Sequence, residues 1–318
     1  MINESVLGSI QQVYELLKLG ELEQANRDLA AILEQDLENS EVIYALTGVN
    51  FWSDKLKKAQ LASTAFERGE YLVSQWKPFT AYMRKLDGEP EGLRSREAVM
   101  YALKQCAFTL ALRFYQSLYR EDDTAGEPEL YRKIGLCYKE LGDYERALQL
   151  LELAKDRDRE SPAILAELAD CYALCGEVRL SKVLFREAFF QGASQVELHF
   201  LESGIINRLV DQVRALGYTG AEQLEWIPVY GLLYGVLNVK RELRALEFGK
   251  LKQAIFALEN EIRDAPRETV GVLVPRLINR YFWLIDHYIN VHDDQARINE
   301  VLLKIKLLDA EVYNRYTM

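Results

Sequence analysis

The apolar pattern is clearest between Pro128 and Ala193. Tyr131, Ile134, Gly135 and Tyr138 fall at i, i+3, i+4 and i+7, so they form one helical stripe. Gly142 and Asp143 break that helix, because glycine takes the left-handed cap conformation at little cost. Tyr144, Ala147, Leu148, Leu151 and Ala154 then start a second stripe. The pattern returns in the same phase as Leu165, Leu168, Ala169, Tyr172, Gly176, Val178, Ser181, Phe185 and Ala188. The differences 169 − 135, 172 − 138 and 176 − 142 all equal 34. A fixed period of this size predicts stacked supersecondary units. Gly135 and Ala147 leave room for two helix backbones to approach, while Tyr138 and Leu151 fill the space beside them. Neither hairpin can bury its stripe alone, so neighbours are expected to stack.

These residues resemble the tetratricopeptide repeat family. The pattern W-x2-L-G-x2-Y, then A-x3-F, then A, falls on Tyr131, Ile134, Gly135, Tyr138, Ala147, Leu151 and Ala154, and again on Leu165, Leu168, Ala169, Tyr172, Ser181, Phe185 and Ala188. The family's final proline is Arg159 here, with Pro162 three residues later. The resemblance implies an all-α, right-handed α–α solenoid of helical hairpins with a diverged helical C-terminal part. It also implies a concave groove, lined by the first helix of each pair, that holds a partner peptide or helix. Counted from the packing stripe, the groove side presents Arg132, Lys133, Leu136 and Lys139, then Glu167 and Asp170 with Ala166 and Ala173. Leu136 stands where some family members carry the asparagine of a carboxylate clamp, which disfavours binding of chaperone tails.

Either side of this region the pattern weakens but stays helical. Val6, Ile10, Val13 and Leu17, then Gly20, then Leu22, Ala25, Leu29 and Ile32 read as a diverged hairpin over residues 6–37. Residues 40–86 continue in helices, with a partner helix from about Leu56 and an interruption at Pro78. Gly88, Pro90 and Gly92 make a loop, and residues 121–128 a polar one. Two stripes follow Arg94, the first on Val99, Leu103 and Ala107, the second on Leu110, Ala111, Phe114 and Leu118. Past Gly192, Val196, Phe200 and Leu201 and then Ile205, Leu209 and Val213 read as helix up to Gly217, and Thr219 with Glu222 predicts a capping box. Gly231 and Gly235 in WIPVYGLLYGVLNV would admit a close neighbouring helix. Residues 259–269 read as a turn, LVPRLINRYFWLIDHYI as a helix buried on two sides, and the chain after His292 as one long capping helix. The expected organisation is diverged hairpins over 1–120, two clear repeats over 128–193 and a diverged helical region over 194–318.

Composition narrows the function. An apolar fraction of 49% with only 7 prolines and 18 glycines in 318 residues suits a helical core. A formal net charge of −10 disfavours binding to nucleic acid or an anionic membrane. The one locally basic run, residues 239–252, carries Lys240, Arg241, Arg244, Lys250 and Lys252 but is interrupted by Glu242 and Glu247, as a solvated helix face would be. No apolar run is long enough to span a bilayer, and MINESVLGSI lacks the form of a signal peptide. Cys106, Cys137, Cys171 and Cys175 show no paired spacing, which fits a reducing, cytoplasmic compartment.

Candidate chemistry is sparse. The sequence has no phosphate loop, dinucleotide fingerprint or nucleophile elbow. Asp286, His287, His292, Asp293 and Asp294 are the one cluster with ligand-type residues, but five residues on a helix separate the two imidazoles by about 140°. A helix end followed by a polar cap explains the cluster without a metal. Cys171 and Cys175 share a face without further ligands. No enzyme, cofactor or metal is expected. The expectation is an adaptor that binds another protein, its packing held by Tyr131, Gly135, Tyr138, Ala147, Ala154, Ala169, Tyr172, Ser181, Phe185 and Ala188. The alternative is self-association through the apolar C-terminal third, with Trp226, Tyr230, Tyr234, Tyr281, Phe282 and Trp283 as the residues of interest, although core packing explains them at least as well.

Overall fold

A computed structural model describes residues 4–86, 93–119, 127–239 and 242–318. The loop at Gly88, Pro90 and Gly92, most of the polar loop with Asp122 and Asp123, and Lys240 and Arg241 lie outside the described residues. Among those described there are helices and turns but no strand. The chain divides into two compact units, Met1–Arg157 and Asp158–Met318. The boundary falls between the two hairpins that carry the 34-residue period.

The first unit holds α1 (Glu4–Lys18), α2 (Leu22–Gln35), α3 (Ser40–Ala59), α4 (Ala65–Ser74), α5 (Trp76–Arg84), α6 (Leu93–Gln116), α7 (Pro128–Glu140) and α8 (Tyr144–Arg157). The helices α1 and α2 form the diverged hairpin expected over 6–37. The stretch from Leu56 does not start a partner helix. It completes α3, whose amide chain is opened by the Asn39 side chain accepting from Val42 N–H, and α4 starts only at the Thr64–Glu67 capping box. Pro78 sits in the first turn of α5, where its missing N–H costs nothing. The two stripes after Arg94 belong to one continuous helix, α6, because no turn residue separates them. It is buried on several sides, packing on α1, α3, α4 and α7.

In the hairpin α7–α8, a Cβ on Gly135 would stand 2.8 Å from Leu151 Cγ and 3.3 Å from the Ala147 carbonyl oxygen, so only glycine fits that crossing. Ala147, Leu151 and Ala154 are fully buried, Tyr131 nearly so, and Tyr138 half-buried. The turn is a left-handed cap: Gly142 has φ +85°, its N–H donates to the Lys139 carbonyl at 3.0 Å, and Asp143 N–H donates to that of Tyr138 at 2.9 Å.

The second unit holds α9 (Pro162–Leu174), α10 (Val178–Gly192), α11 (Gly204–Ala215), α12 (Gly220–Leu233), α13 (Ala245–Asp264), α14 (Arg267–Asn290), α15 (Gln295–Leu308) and α16 (Ala310–Thr317). The hairpin α9–α10 repeats the cap: Gly176 has φ +87°, and the N–H groups of Gly176 and Glu177 donate to Ala173 and Tyr172 at 3.1 and 2.8 Å. Ala169, Ser181, Phe185 and Ala188 are fully buried between these helices, with Tyr172 half-buried. Together α7 and α9 open on prolines, Pro128 and Pro162, and α8 and α10 begin at Tyr144 and Val178, each 34 residues apart.

Beyond α10 several local expectations are corrected. Residues 193–203 make two 3-10 turns, Ala193–Gln195 and Leu198–Phe200, rather than an α-helix. Thr219 precedes α12 but its side chain makes no capping hydrogen bond. A Cβ on Gly231 would stand 2.7 Å from Leu237 and 3.1 Å from Leu209 of α11, so that glycine does admit a neighbouring helix, while Gly235 occupies a left-handed turn. The turn expected over 259–269 shrinks to Ala265 and Pro266, because α13 runs on to Asp264 and α14 starts at Arg267. The long final helix is broken at Asp309, whose carboxylate caps α16 by accepting from Val312 N–H at 2.8 Å. One apolar core joins α9–α16, and Trp226, Tyr230, Tyr281, Phe282 and Trp283 lie inside it. Of the six aromatic residues of interest for self-association, five are thus core residues, as core packing equally explains them, and Tyr234 is exposed.

Candidate partner-binding surface

The first-helix face expected to line an open groove is covered. In the first unit Arg132, Lys133, Leu136 and Lys139 are all buried. The helix α6 packs on α7, and local and long-range ion pairs hold the charged side chains of this face. Lys133 Nζ lies 2.9 Å from a Glu70 oxygen on α4 and 3.7 Å from Glu129. The buried Tyr115 hydroxyl, from α6, also donates to Glu70. Arg132 donates to both Glu129 oxygens at 2.8 and 2.6 Å. Lys139 and Lys104 converge on Glu140 at 3.0 and 2.7 Å. Burial acts to raise the Glu129 carboxyl, but the Arg132 hydrogen bond and charge, with Lys133, outweigh it and hold the group below its ordinary pKa.

In the second unit Glu167 and Asp170 are buried as well. Asp170 accepts the Glu202 and Ser203 N–H groups at 2.9 and 2.8 Å, so it caps the start of α11. Of the six expected partner-binding residues, none presents an open surface. Arg132, Lys133 and Lys139 serve ion pairs within the first unit, and Asp170 serves a helix terminus.

An open surface lies instead on the flank of the α7–α8 hairpin. There a cavity of about 380 Å³ is bounded by Tyr119, Tyr138, Arg146, Gln149, Leu150 and Leu153. Gln116 Nε2 donates to the Tyr138 hydroxyl at 2.8 Å, and the Arg146 guanidinium sits 5.5 Å from the Tyr138 ring centroid. Leu153 is an exposed large apolar residue at its rim. The sequence showed Tyr138 only as a packing residue. It is only half-buried, a distinction that a 3.6-residue period does not encode.

Reactive groups are scattered. Cys106, Cys137 and Cys171 are buried and Cys175 is exposed, and burial pushes the Cys106 thiol up to about 12. His287 stacks on Phe248 at 4.1 Å between ring centroids. His292, at φ +52°, takes the left-handed position just past α14, and Asp294 caps α15 by accepting from Ala296 N–H at 2.9 Å. Among the described residues no three His, Cys, Asp or Glu side chains gather as metal ligands would, and no helix is long and apolar enough to cross a membrane. No protein-family model and no curated protein matches this sequence.

Proposed function

We propose that the chain is a non-catalytic interaction scaffold of tetratricopeptide type, a right-handed helical solenoid that holds a peptide or amphipathic helix of another protein. The observation that carries the reading is the recurrence of one hairpin: opening prolines, turn glycines and second-helix starts each recur at 34 residues with the same cap hydrogen bonds. Docking falls to the Tyr138 cavity rather than to the face of α7 that carries Lys133. An aromatic ring, an aliphatic rim at Leu150 and Leu153 and one cation, Arg146, suit an apolar anchor flanked by an acidic residue. Four free cysteines support work in a reducing, cytoplasmic setting.

A photo-crosslinking residue placed at Gln149, with Gln24 on the exposed side of α2 as control, tests this in cells. The expected result is a discrete adduct with a partner protein from position 149 and none from 24. Equal labelling at both positions, or none at 149, removes the reading.

A second reading, self-association, draws on exposed apolar residues in the second unit: Leu246 (74%) and Phe256 (66%) on α13, and Leu303 (58%) and Leu307 (88%) on α15. Light scattering after gel filtration decides it, and a chain that stays monomeric at high concentration eliminates it.

A further inference from the structure

Two arginines one turn apart on α14 have different surroundings. Arg276 donates through Nε and Nη2 to Oε1 of the buried Glu225, at 3.0 and 2.7 Å, and is neutralised there. Arg280 lies over the Phe190 ring, 4.2 Å from its centroid, and no carboxylate or carbonyl hydrogen-bonds it among the described residues. Glu187 is nearby but accepts from Gln191 at 3.0 Å.

Arg280 opens onto a cavity of about 210 Å³ that also takes in Arg276, Glu225, Ser194, Gln195 and Asn279. Ser194 and Gln195, from the 3-10 turn after α10, are exposed, while Asn279 and Glu225 are buried. Arg276 and Arg280 face two carboxylates, Glu225 in the lining and Glu187 beside it, so the four formal charges cancel. The Arg280 cation feels the charges of Glu225 and Glu187, but its N–H groups bond to neither, and unmet donors are costly in a largely desolvated place. Burial accordingly pulls the Arg280 pKa down to about 10, against the pull of Glu225, and leaves it a cation at neutral pH.

We propose that this cavity binds a monocarboxylate, with the Arg280 guanidinium as its cation and the Ser194 and Gln195 side chains as neutral donors. The planar fork of arginine matches two carboxylate oxygens, and Phe190 beneath it fixes the plane. A carboxylate adds a single negative charge that the Arg280 N–H groups can bond, whereas a phosphate dianion would add two beside Glu225. The site does not rest on the repeat reading: apart from Phe190 on α10, the residues that would hold the ligand lie past the α9–α10 hairpin.

The test is calorimetric or NMR titration of the full chain with sodium acetate, N-acetylglycine and inorganic phosphate at fixed ionic strength. Saturable millimolar binding of the carboxylates, weakened at least tenfold by Arg280→Gln and by the charge-keeping Arg280→Lys, supports the site. Tighter binding of N-acetylglycine than of acetate assigns it to a chain terminus; equal binding assigns it to a small acid. Phosphate binding more tightly than either, no saturable binding by the wild type, or binding unchanged in both variants overturns the proposal. Arg280→Lys and the wild-type comparison decide the matter even where Arg280→Gln fails to fold.

Discussion

Lys133 and Glu70 stand 63 residues apart in sequence and 2.9 Å apart in the fold, an ion pair on the buried face of α7. Removing the acid by Glu70→Gln leaves a buried ammonium with Glu129 alone at 3.7 Å. The expected loss is about 1–3 kcal/mol in chemical denaturation. Lys133→Met removes charge and desolvation cost together and is expected to stay within about 1 kcal/mol of wild type. Equal losses in the two variants would mean the pair does not govern this face.

Arg186 and Asp286 form the corresponding pair in the second unit. Both are buried, Arg186 also donates to the Val239 carbonyl at 2.6 Å, and its guanidinium lies 4.7 Å from the Trp283 ring. Asp286→Leu strands that cation and is expected to cost about 3–5 kcal/mol. The double change Arg186→Met with Asp286→Leu should recover most of the loss, as read from a double-mutant cycle with the two single variants.

The packing between α9 and α10 makes opposite predictions at two buried positions. The Ser181 hydroxyl is buried with no hydrogen-bond partner among the described residues, so Ser181→Ala should stabilise by about 1 kcal/mol. Ala188 is fully buried, and Ala188→Leu should overpack the joint at a cost of about 1–3 kcal/mol. Thermal melts of the two variants should move in opposite directions.

Helix ends offer a backbone test. Gly142 has open space where a Cβ would go, so Gly142→Ala should cost about 1–2 kcal/mol for its positive φ alone. His292 already bears that strain at φ +52°, and His292→Gly is expected to raise the melting temperature.

Acid should weaken the fold through Glu129 and Glu259. Burial raises both, but Arg132 and Lys133 around Glu129, and Tyr281 and Lys304 around Glu259, hold them below the ordinary value of 4.5. A carboxylate depressed in the folded state contributes stability above its unfolded pKa, and that contribution disappears as pH falls through the lower folded value. Denaturation midpoints followed from pH 6 to 3 should therefore drop below about pH 4.5, and Arg132→Met should flatten the drop. A slope unchanged in that variant would exclude Glu129 as its source.

The 34-residue period made the two central hairpins legible, because Gly135, Gly142, Ala147 and their counterparts mark crossings and turns within a few residues of chain. The surface was not legible in the same way. Lys133 pairs with Glu70 of α4, and Glu140, which Lys139 also engages, pairs with Lys104 of α6. Local periodicity carries no information about the distant partners Glu70 and Lys104. Capping was legible only in part: Asp294 caps as a sequence of its kind should, whereas Thr219 does not, and Asp309 divides a stripe that reads as unbroken.

Cys175 lies at the exposed end of α9 while the other three thiols are shut away, one of them, Cys171, a single turn back on the same helix. The native chain is therefore equipped for attachment of one fluorophore without mutagenesis. The three occluded sulfurs then act as clocks: the moment each begins to react with a thiol reagent times the opening of Cys106 and Cys137 in one half and of Cys171 in the other.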